Sequence, residues 1–433
     1  MGLFIGIKNF LKTRTLRESS FVFVGSLLNG LSLFLINVLL GNKFSKEWFG
    51  SLTLILVILA VVAELSDFGL NGGLLRFAPY YLGSGDNNKF LKLVRVVWDW
   101  RVRISIIFTA GGIILSYPFS RYILGQPQIA GYLSYSFLGV GGVILLGFLG
   151  SYLQVQQKFL FSAIVQASKG ISKLLLVLLL FYLGFGNQFW YISVFVIIPW
   201  LMVLVFFLIR PANYLHTDVN QAERSEINAR LGKFGFWLAL NSIFIIVAGK
   251  IDQIMVSRIL DLEKLATFSI AMQFLYFYSI VFGSIGTVIA PKINAFKNKL
   301  DLIAYIKKSF KVLIPIFIAA LFLVYPTKYF IILFFGQKYI EAMPLYLILS
   351  YSSIVSLLSL PFGFVLLVYS KTKLIALSGV LQFIVNLLLN WFFISRFGVT
   401  GAAISYGLSV LLFNFYNVAW AIYLLKKHEI VVE

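Results

Sequence analysis

Lys169 and Lys173 stand four residues apart inside an apolar run, 160–184, and on a helix they share one face with Ser162 and Gln166. Each lies roughly nine residues or more from the ends of that run. At about 1.5 Å per residue this is too deep for an ammonium group to reach the membrane surface. Ammonium groups held there require anionic company, and phosphate or diphosphate suits a compact lysine charge. Lys250 is a third cation within a hydrophobic run, 232–258, with Asp252 and Gln253 beside it. It either joins the buried set or extends to the interface paired with Asp252.

Glu64 and Asp67 close the apolar run from Phe49 to Ala63, ahead of a glycine pair and Arg76. On one continuous helix the two carboxylates face the same way and border a polar space. If the helix ends near Glu64, both sit at the surface. Gln382, Asn386 and Asn390 repeat at four-residue spacing, which lays three amides on one helical face and points to a wetted surface. Isolated amides such as Asn29 and Asn241 more often tie helices together. Lys169, Lys173, Lys250 and Arg76, with Gln166, Asn386 and Asn390, form the expected substrate-binding set. Bond-making chemistry has no carrier here. Cysteine is absent, His216 and His428 fall in a loop and a tail, and no nucleophile elbow or P-loop occurs. Neither an enzyme nor a metal centre is expected, and transport is what remains.

These residues need a membrane scaffold. Of 433 residues 60% are hydrophobic and 12% charged, where soluble proteins carry about 25% charged residues. The expected fold is all-α and integral to the membrane. About twelve spans fall near 19–40, 49–75, 100–118, 129–153, 160–184, 189–210, 232–258, 264–290, 311–333, 341–368, 373–395 and 401–425. Twenty-five lysines and arginines flank one end of these spans and eight the other, so the richer side reads as cytoplasmic with both termini inside. The net charge of +20 then reflects topology and anionic headgroups, not nucleic acid. A basic amphipathic stretch, Phe4 to Arg17, is expected on the membrane surface.

The polar segment 211–231 reads as a cytoplasmic linker between an N-terminal six-helix lobe, 1–210, and a C-terminal one, 232–433. Internal similarity supports a duplicated unit. Gln157-Lys158-Phe ahead of the fifth span parallels Lys371-Thr-Lys373 ahead of the eleventh, and Leu183-Gly184-Phe-Gly186 parallels Phe397-Gly398-Val-Thr-Gly401. Two such lobes would flank a central cleft.

Four stretches in order carry a family resemblance. They are Asp67-Phe-Gly-Leu-Asn-Gly-Gly-Leu-Leu-Arg76, Lys250-Ile-Asp252-Gln-Ile-Met-Val-Ser, Phe335-Gly-Gln-Lys-Tyr339 with Glu341-Ala, and Asn386 to Asn390 followed by Phe397-Gly-Val-Thr-Gly-Ala-Ala-Ile404. Together they resemble the bacterial polysaccharide-biosynthesis membrane proteins that flip undecaprenyl-diphosphate-linked oligosaccharides. The resemblance implies the multidrug/oligosaccharidyl-lipid/polysaccharide exporter fold, two six-helix lobes that alternate access to a V-shaped cleft. It implies a polyprenyl-diphosphate-linked glycan as substrate, in the bacterial plasma membrane, with polysaccharide polymerase machinery as a partner. It also implies coupling to H+ or Na+ rather than a bound cofactor, and Glu64, Asp67 and Asp252 are the ion-coupling candidates. Peptidoglycan-precursor flippases of the superfamily usually carry two further C-terminal spans, for which no room is expected after Lys427. The alternative expectation is an ion-coupled multidrug antiporter of the same fold, which would need unpaired carboxylates to hold organic cations.

Overall fold

The computed structural model describes residues 14–209, 213–294, 296, 298–369 and 371–427, and among them regular structure is helical with no strand. Most of the basic stretch Phe4 to Arg17 and the side chain of Asn241 lie outside the described residues. The first half runs α1 (Arg14–Lys43), α2 (Lys46–Leu65), α3 (Leu70–Gly83), α4 (Asn87–Pro118), α5 (Ala130–Val155), α6 (Phe159–Tyr182) and α7 (Gln188–Ile209). The second runs α8 (Gln221–Ala248), α9 (Ile251–Ile259), α10 (Leu262–Asn294), α11 (Lys299–Thr327), α12 (Tyr329–Phe335), α13 (Ala342–Val368) and α14 (Thr372–Lys427).

Ten helices among the described residues are long and apolar enough to cross a membrane. Two features bring ten toward the twelve expected. The 56-residue α14 turns back at Gly398, whose φ of 57° and ψ of −141° leave the helical region. Its two arms lie side by side, because Ser409 Oγ is 3.0 Å from Asn386 Oδ1. A straight helix would separate these residues by about 35 Å. The second feature is α8, which breaks at Gly249–Lys250 and resumes as the short α9.

Other boundaries differ from the hydropathy reading for local reasons. The expected span 49–75 is two helices. After Leu65 the chain enters a turn with Phe68 at φ 45° and Gly69 at φ 73°, and α3 then restarts at Leu70. Helix α4 begins at Asn87, more than three turns ahead of the expected 100, because Asp86 caps it by accepting from Lys89 N (3.0 Å). Its first turns carry charge that hydropathy scores as loop.

The chain gathers into two compact units, Met1–Leu40 with Ile58–Ser242, and Gly41–Val57 with Ile243–Glu433. In the first unit α5 is buried on most sides, between α4 and α7. In the second, α13 takes that place and packs against α10, α11 and α14. Within lipid such packing rests on close van der Waals fit, since the tails are as apolar as the side chains.

The segment 211–231 lies inside the first unit and is largely structured. Asn220 and Glu223 cap α8 reciprocally: Glu223 N donates to Asn220 Oδ1 (2.8 Å) and Asn220 N to Glu223 Oε2 (3.3 Å). The first turns of α8 grip α4 through Lys92–Glu223, Arg224–Asp99 (2.7 Å) and Trp100 Nε1 on Asn228 Oδ1 (2.9 Å). Ahead of them Tyr214 is buried among Trp98, Phe148 and Tyr152. The hydrogen bond from Lys92 holds the Glu223 carboxyl below its ordinary pKa.

The fold of α14 generates a stability contrast. A Cβ at Gly401 would meet Phe393 O at 2.0 Å, whereas one at Gly363 in α13 would meet nothing within 4 Å. Gly401→Ala should therefore lower Tm by several degrees, since the backbone carbonyl cannot yield. Gly363→Ala should leave Tm unchanged or raise it, by the ~0.5–1 kcal/mol that alanine gains over glycine in a helix. Thermal unfolding in detergent followed by circular dichroism separates the two.

Candidate functional site

Polar side chains within the helices form three groups. The first is the stripe on α6. Ser162 and Lys173 are buried there, and Gln166 and Lys169 are half-buried. The 4-3-4 spacing of these residues keeps them on one face. That face is fixed by close contact with α1. A Cβ on Gly170 would meet Asn29 Cα at 2.7 Å, and one on Gly25 would meet Ala163 O at 2.6 Å. Lys173 Nζ lies 4.9 Å above the ring of Phe195 on α7, a contact that partly offsets the loss of water. Neither Lys169 nor Lys173 has a carboxylate within ion-pair distance among the described residues. This pair of lysines can attract a polyanion and, among the described residues, has no internal counter-ion to release first.

The second group sits where α2 gives way to α3. Asp67 pairs with Arg101, which is only 2% exposed, and Arg101 Nη1 also donates to Ser66 O at 3.3 Å. Asn71 N reaches Asp67 Oδ1 at 3.3 Å. Arg101 is thus tied to both the carboxylate and the backbone of the turn. The expectation that Glu64 and Asp67 share one helical face is corrected. Helix α2 ends at Leu65, so Asp67 belongs to the turn while Glu64 is exposed on the last helical turn. Arg76 is also exposed, on α3, 5.9 Å from the ring of Phe77. Arg101, which the sequence reading leaves among the basic residues flanking the spans, is instead buried within α4. Periodicity carried the signal, because Phe90, Val94, Val97 and Ile104 are all buried and Arg101 falls in the same series.

The third group belongs to the second unit. Lys250 stands half-buried in the break between α8 and α9, and Asp252 occupies the first turn of α9 at 1% exposure. Two asparagines from α14 hold the carboxylate. Asn390 Nδ2 donates to Asp252 Oδ1 at 2.7 Å, and Asn386 Nδ2 to Oδ2 at 3.3 Å. Asn386 Nδ2 also reaches Ala248 O (3.3 Å), a carbonyl freed by the helix break, and Asn390 Nδ2 reaches Asn386 Oδ1 (2.8 Å). Ser409 Oγ, with one proton to give, lies 3.0 Å from Asn386 Oδ1 and 2.6 Å from Ser405 O. Asn390 Oδ1 is buried and accepts no hydrogen bond. Gln253 turns aside to Ser269, with Nε2 3.1 Å from its Oγ. The structure thus brings Asp252, Asn386 and Asn390 together, as a carboxylate in a cradle of neutral amides, and Lys250 is two residues away in sequence. No cluster of three or more His, Cys, Asp or Glu suited to a metal ion occurs among the described residues. What the cradle can hold is a proton or a small cation on oxygen.

Comparison with known proteins places this helical membrane architecture. An inward-facing multidrug resistance MATE family transporter of the MOP superfamily superposes with a TM-score of 0.73 at 11% identity, covering 93% of this chain and 94% of that one. The lipid II flippase MurJ in an inward closed conformation superposes with a TM-score of 0.69 at 16% identity, covering 93% and 87%. The fold is that of the MOP superfamily. A Shigella flexneri protein provisionally described as an O-antigen transporter is 25% identical over 189 residues. That match takes in 42% of this chain and 44% of the relative, so the chain spans less than half the length of the curated protein it matches. The family model described as polysaccharide biosynthesis protein matches residues 15–297, more than half of the chain, and the chain belongs to that family.

The Asp67–Arg101 pair generates a test. Removing one partner leaves the other charge unanswered, and the cost is larger when the survivor is the deeper group. Asp67→Asn is expected to destabilise the protein by about 3 kcal/mol, more than Arg101→Gln, and the double variant should recover part of the loss. Chemical-denaturant or thermal melts of the three variants measure the order. Equal melts for Asp67→Asn and wild type would show that the pair does not secure the turn.

Proposed function

We propose that this protein is a flippase for a polyprenyl-diphosphate-linked oligosaccharide, working in the bacterial plasma membrane with both termini cytoplasmic. The observation that carries the reading is the unpaired Lys169–Lys173 stripe, an internal site of double positive charge that a diphosphate headgroup would neutralise. Family membership supports it, as do the O-antigen description of one relative and the lipid II flippase among the fold relatives. Gln166 would add a hydrogen bond to the phosphate or the first sugar. The apolar tail stays in lipid while the headgroup crosses, by alternating access and without bond-making chemistry. Polysaccharide polymerase machinery would receive the product.

Ion coupling is assigned to Asp252. Its carboxylate is held by neutral amides and has no cationic partner among the described residues, so H+ or Na+ can bind there, whereas Asp67 is paired with Arg101. Asn386 and Asn390, expected from sequence as substrate ligands, act in this reading as the cradle of the coupling site. A multidrug antiporter of the same fold is the second reading. It asks for carboxylates open to an organic cation, whereas Asp67 is paired with Arg101 and Asp252 is only 1% exposed within its amide cradle.

Two measurements test these assignments in proteoliposomes with a labelled undecaprenyl-diphosphate oligosaccharide. Each lysine contact to phosphate contributes about 1.5–3 kcal/mol, so Lys169→Gln and Lys173→Gln should each weaken binding roughly 10- to 100-fold, and the double variant should abolish headgroup translocation. Unchanged transport by the double variant would place the headgroup elsewhere. Strong efflux of cationic drugs with no glycan transport would favour the antiporter. Separately, Asp252→Asn should leave substrate binding close to wild type while removing the dependence of transport on an imposed H+ or Na+ gradient. Gradient-driven accumulation that survives this change would move the coupling site.

A further inference from the structure

The basic residues of the two units are answered differently. In the first unit six are paired with carboxylates: Lys89 with Asp86, Lys92 with Glu223, Arg95 and Arg224 with Asp99, Arg101 with Asp67, and Arg230 with Glu226. In the second unit the one ion pair among the described residues joins Lys264 to Glu341. Lys307, Lys308 and Lys311 on α11, Lys371 and Lys373 around the start of α14, and Lys426 and Lys427 at its end are all exposed. None has a carboxylate within ion-pair distance among the described residues.

These lysines share one end of the unit. A single apolar core there gathers the start of α11 (Leu302, Ile306), the end of α13 (Leu366, Tyr369) and the last turns of α14 (Ala421, Leu424), and Leu374 from the start of α14 packs against it. Asp301 is the carboxylate of α11, and Glu429 and Glu433 follow α14 in sequence, so seven lysines meet three carboxylates at most. Each lysine group also stands where exposed apolar surface begins. Val312, Ile314 and Ile318 follow Lys311, Leu377 and Leu381 follow Lys373, and Ile422 and Tyr423 precede Lys426. Lys427 Nζ lies 5.1 Å from the ring of Tyr423. Lysine and tyrosine at the border of lipid-facing surface sit at headgroup depth.

We propose that this end of the second unit is a docking face for acidic phospholipid headgroups, whereas six basic residues of the first unit are answered by its own carboxylates. Several lysines from α11 and from the two ends of α14 can surround one or two phosphates and so bridge these elements. The bound lipid then tightens the core beneath, and the stability of this unit depends on membrane composition.

The test uses the purified full chain in neutral detergent, with phosphatidylglycerol, phosphatidylcholine or a soluble poly-glutamate added. Wild type is expected to gain Tm with phosphatidylglycerol and not with phosphatidylcholine, and to retain bound acidic lipid in native mass spectrometry. The variant Lys307→Gln/Lys308→Gln/Lys311→Gln with Lys371→Gln/Lys373→Gln should lose most of that gain, and the corresponding Lys→Arg variant should keep it. Lys89→Gln, in the first unit, should leave the gain intact. The arginine control ensures that a loss reports charge and not misfolding. Equal stabilisation by the two lipids, or an acidic-lipid gain that survives the glutamine changes, overturns the proposal. A gain with poly-glutamate but not with phosphatidylglycerol would also overturn it, in favour of an acidic protein segment.

Discussion

A charge inside hydrocarbon must be neutralised, hydrogen-bonded or given access to water, and this requirement shapes the polar interior of the protein. Three solutions coexist. Asp67 and Arg101 cancel one another at the α2–α3 turn. Asp252 has no cationic partner among the described residues and is held by two asparagine amides. Among the described residues Lys169 and Lys173 have neither arrangement, and the ring of Phe195 faces one of them. The first solution is closed and serves structure. The second and third are open, because each leaves a charge to be met by something that is not a side chain.

Both internal carboxylates lie at helix breaks, for a shared physical reason. A break frees backbone carbonyls and amides that a continuous helix would consume, and within a membrane those groups need partners nearby. At the first break Ser66 O accepts from Arg101, and at the second Ala248 O accepts from Asn386. The same side chains therefore satisfy the carboxylate and the orphaned backbone. This couples the state of the carboxylate to the geometry of the helix: a change of charge at Asp252 alters what Asn386 can donate to the α8 terminus. In the first break the pairing with a buried arginine removes that freedom.

The membrane class, the number of spans and the family were legible in the sequence, because they rest on the long apolar runs and on loosely spaced motifs that hydrocarbon thickness and glycine turns enforce. The lysine stripe was legible too, since 162, 166, 169 and 173 can only share a face. What escaped was contact across the chain. Arg101 looked like a loop charge because hydropathy placed the start of its helix more than three turns late. The buried series at 90, 94, 97 and 104 would have shown it facing inward. The turn at Phe68 interrupts an apolar pattern long enough to read as one helix, so Glu64 and Asp67 seemed to look the same way. Asn386 and Asn390 were legible as a stripe, but the identity of their partner was not. It comes from a helix about 130 residues earlier, and no spacing rule links the two.

The contrast between the two carboxylates also bears on which can do work. The Asp67–Arg101 pair commits its carboxylate to a buried guanidinium, and a cation arriving there would have to compete with it. An amide cradle imposes no such penalty. Asparagine is neutral in every state, so a proton or cation arriving at Asp252 removes a buried charge instead of exposing a partner. Asn390 Oδ1, buried and without a donor, is an acceptor already present for such an arrival. In the coupling role proposed for Asp252, occupancy would be felt by both arms of α14 and by the end of α8 through Asn386. That is the property a coupling site needs: differential stability between two occupancy states, delivered to helices that can move.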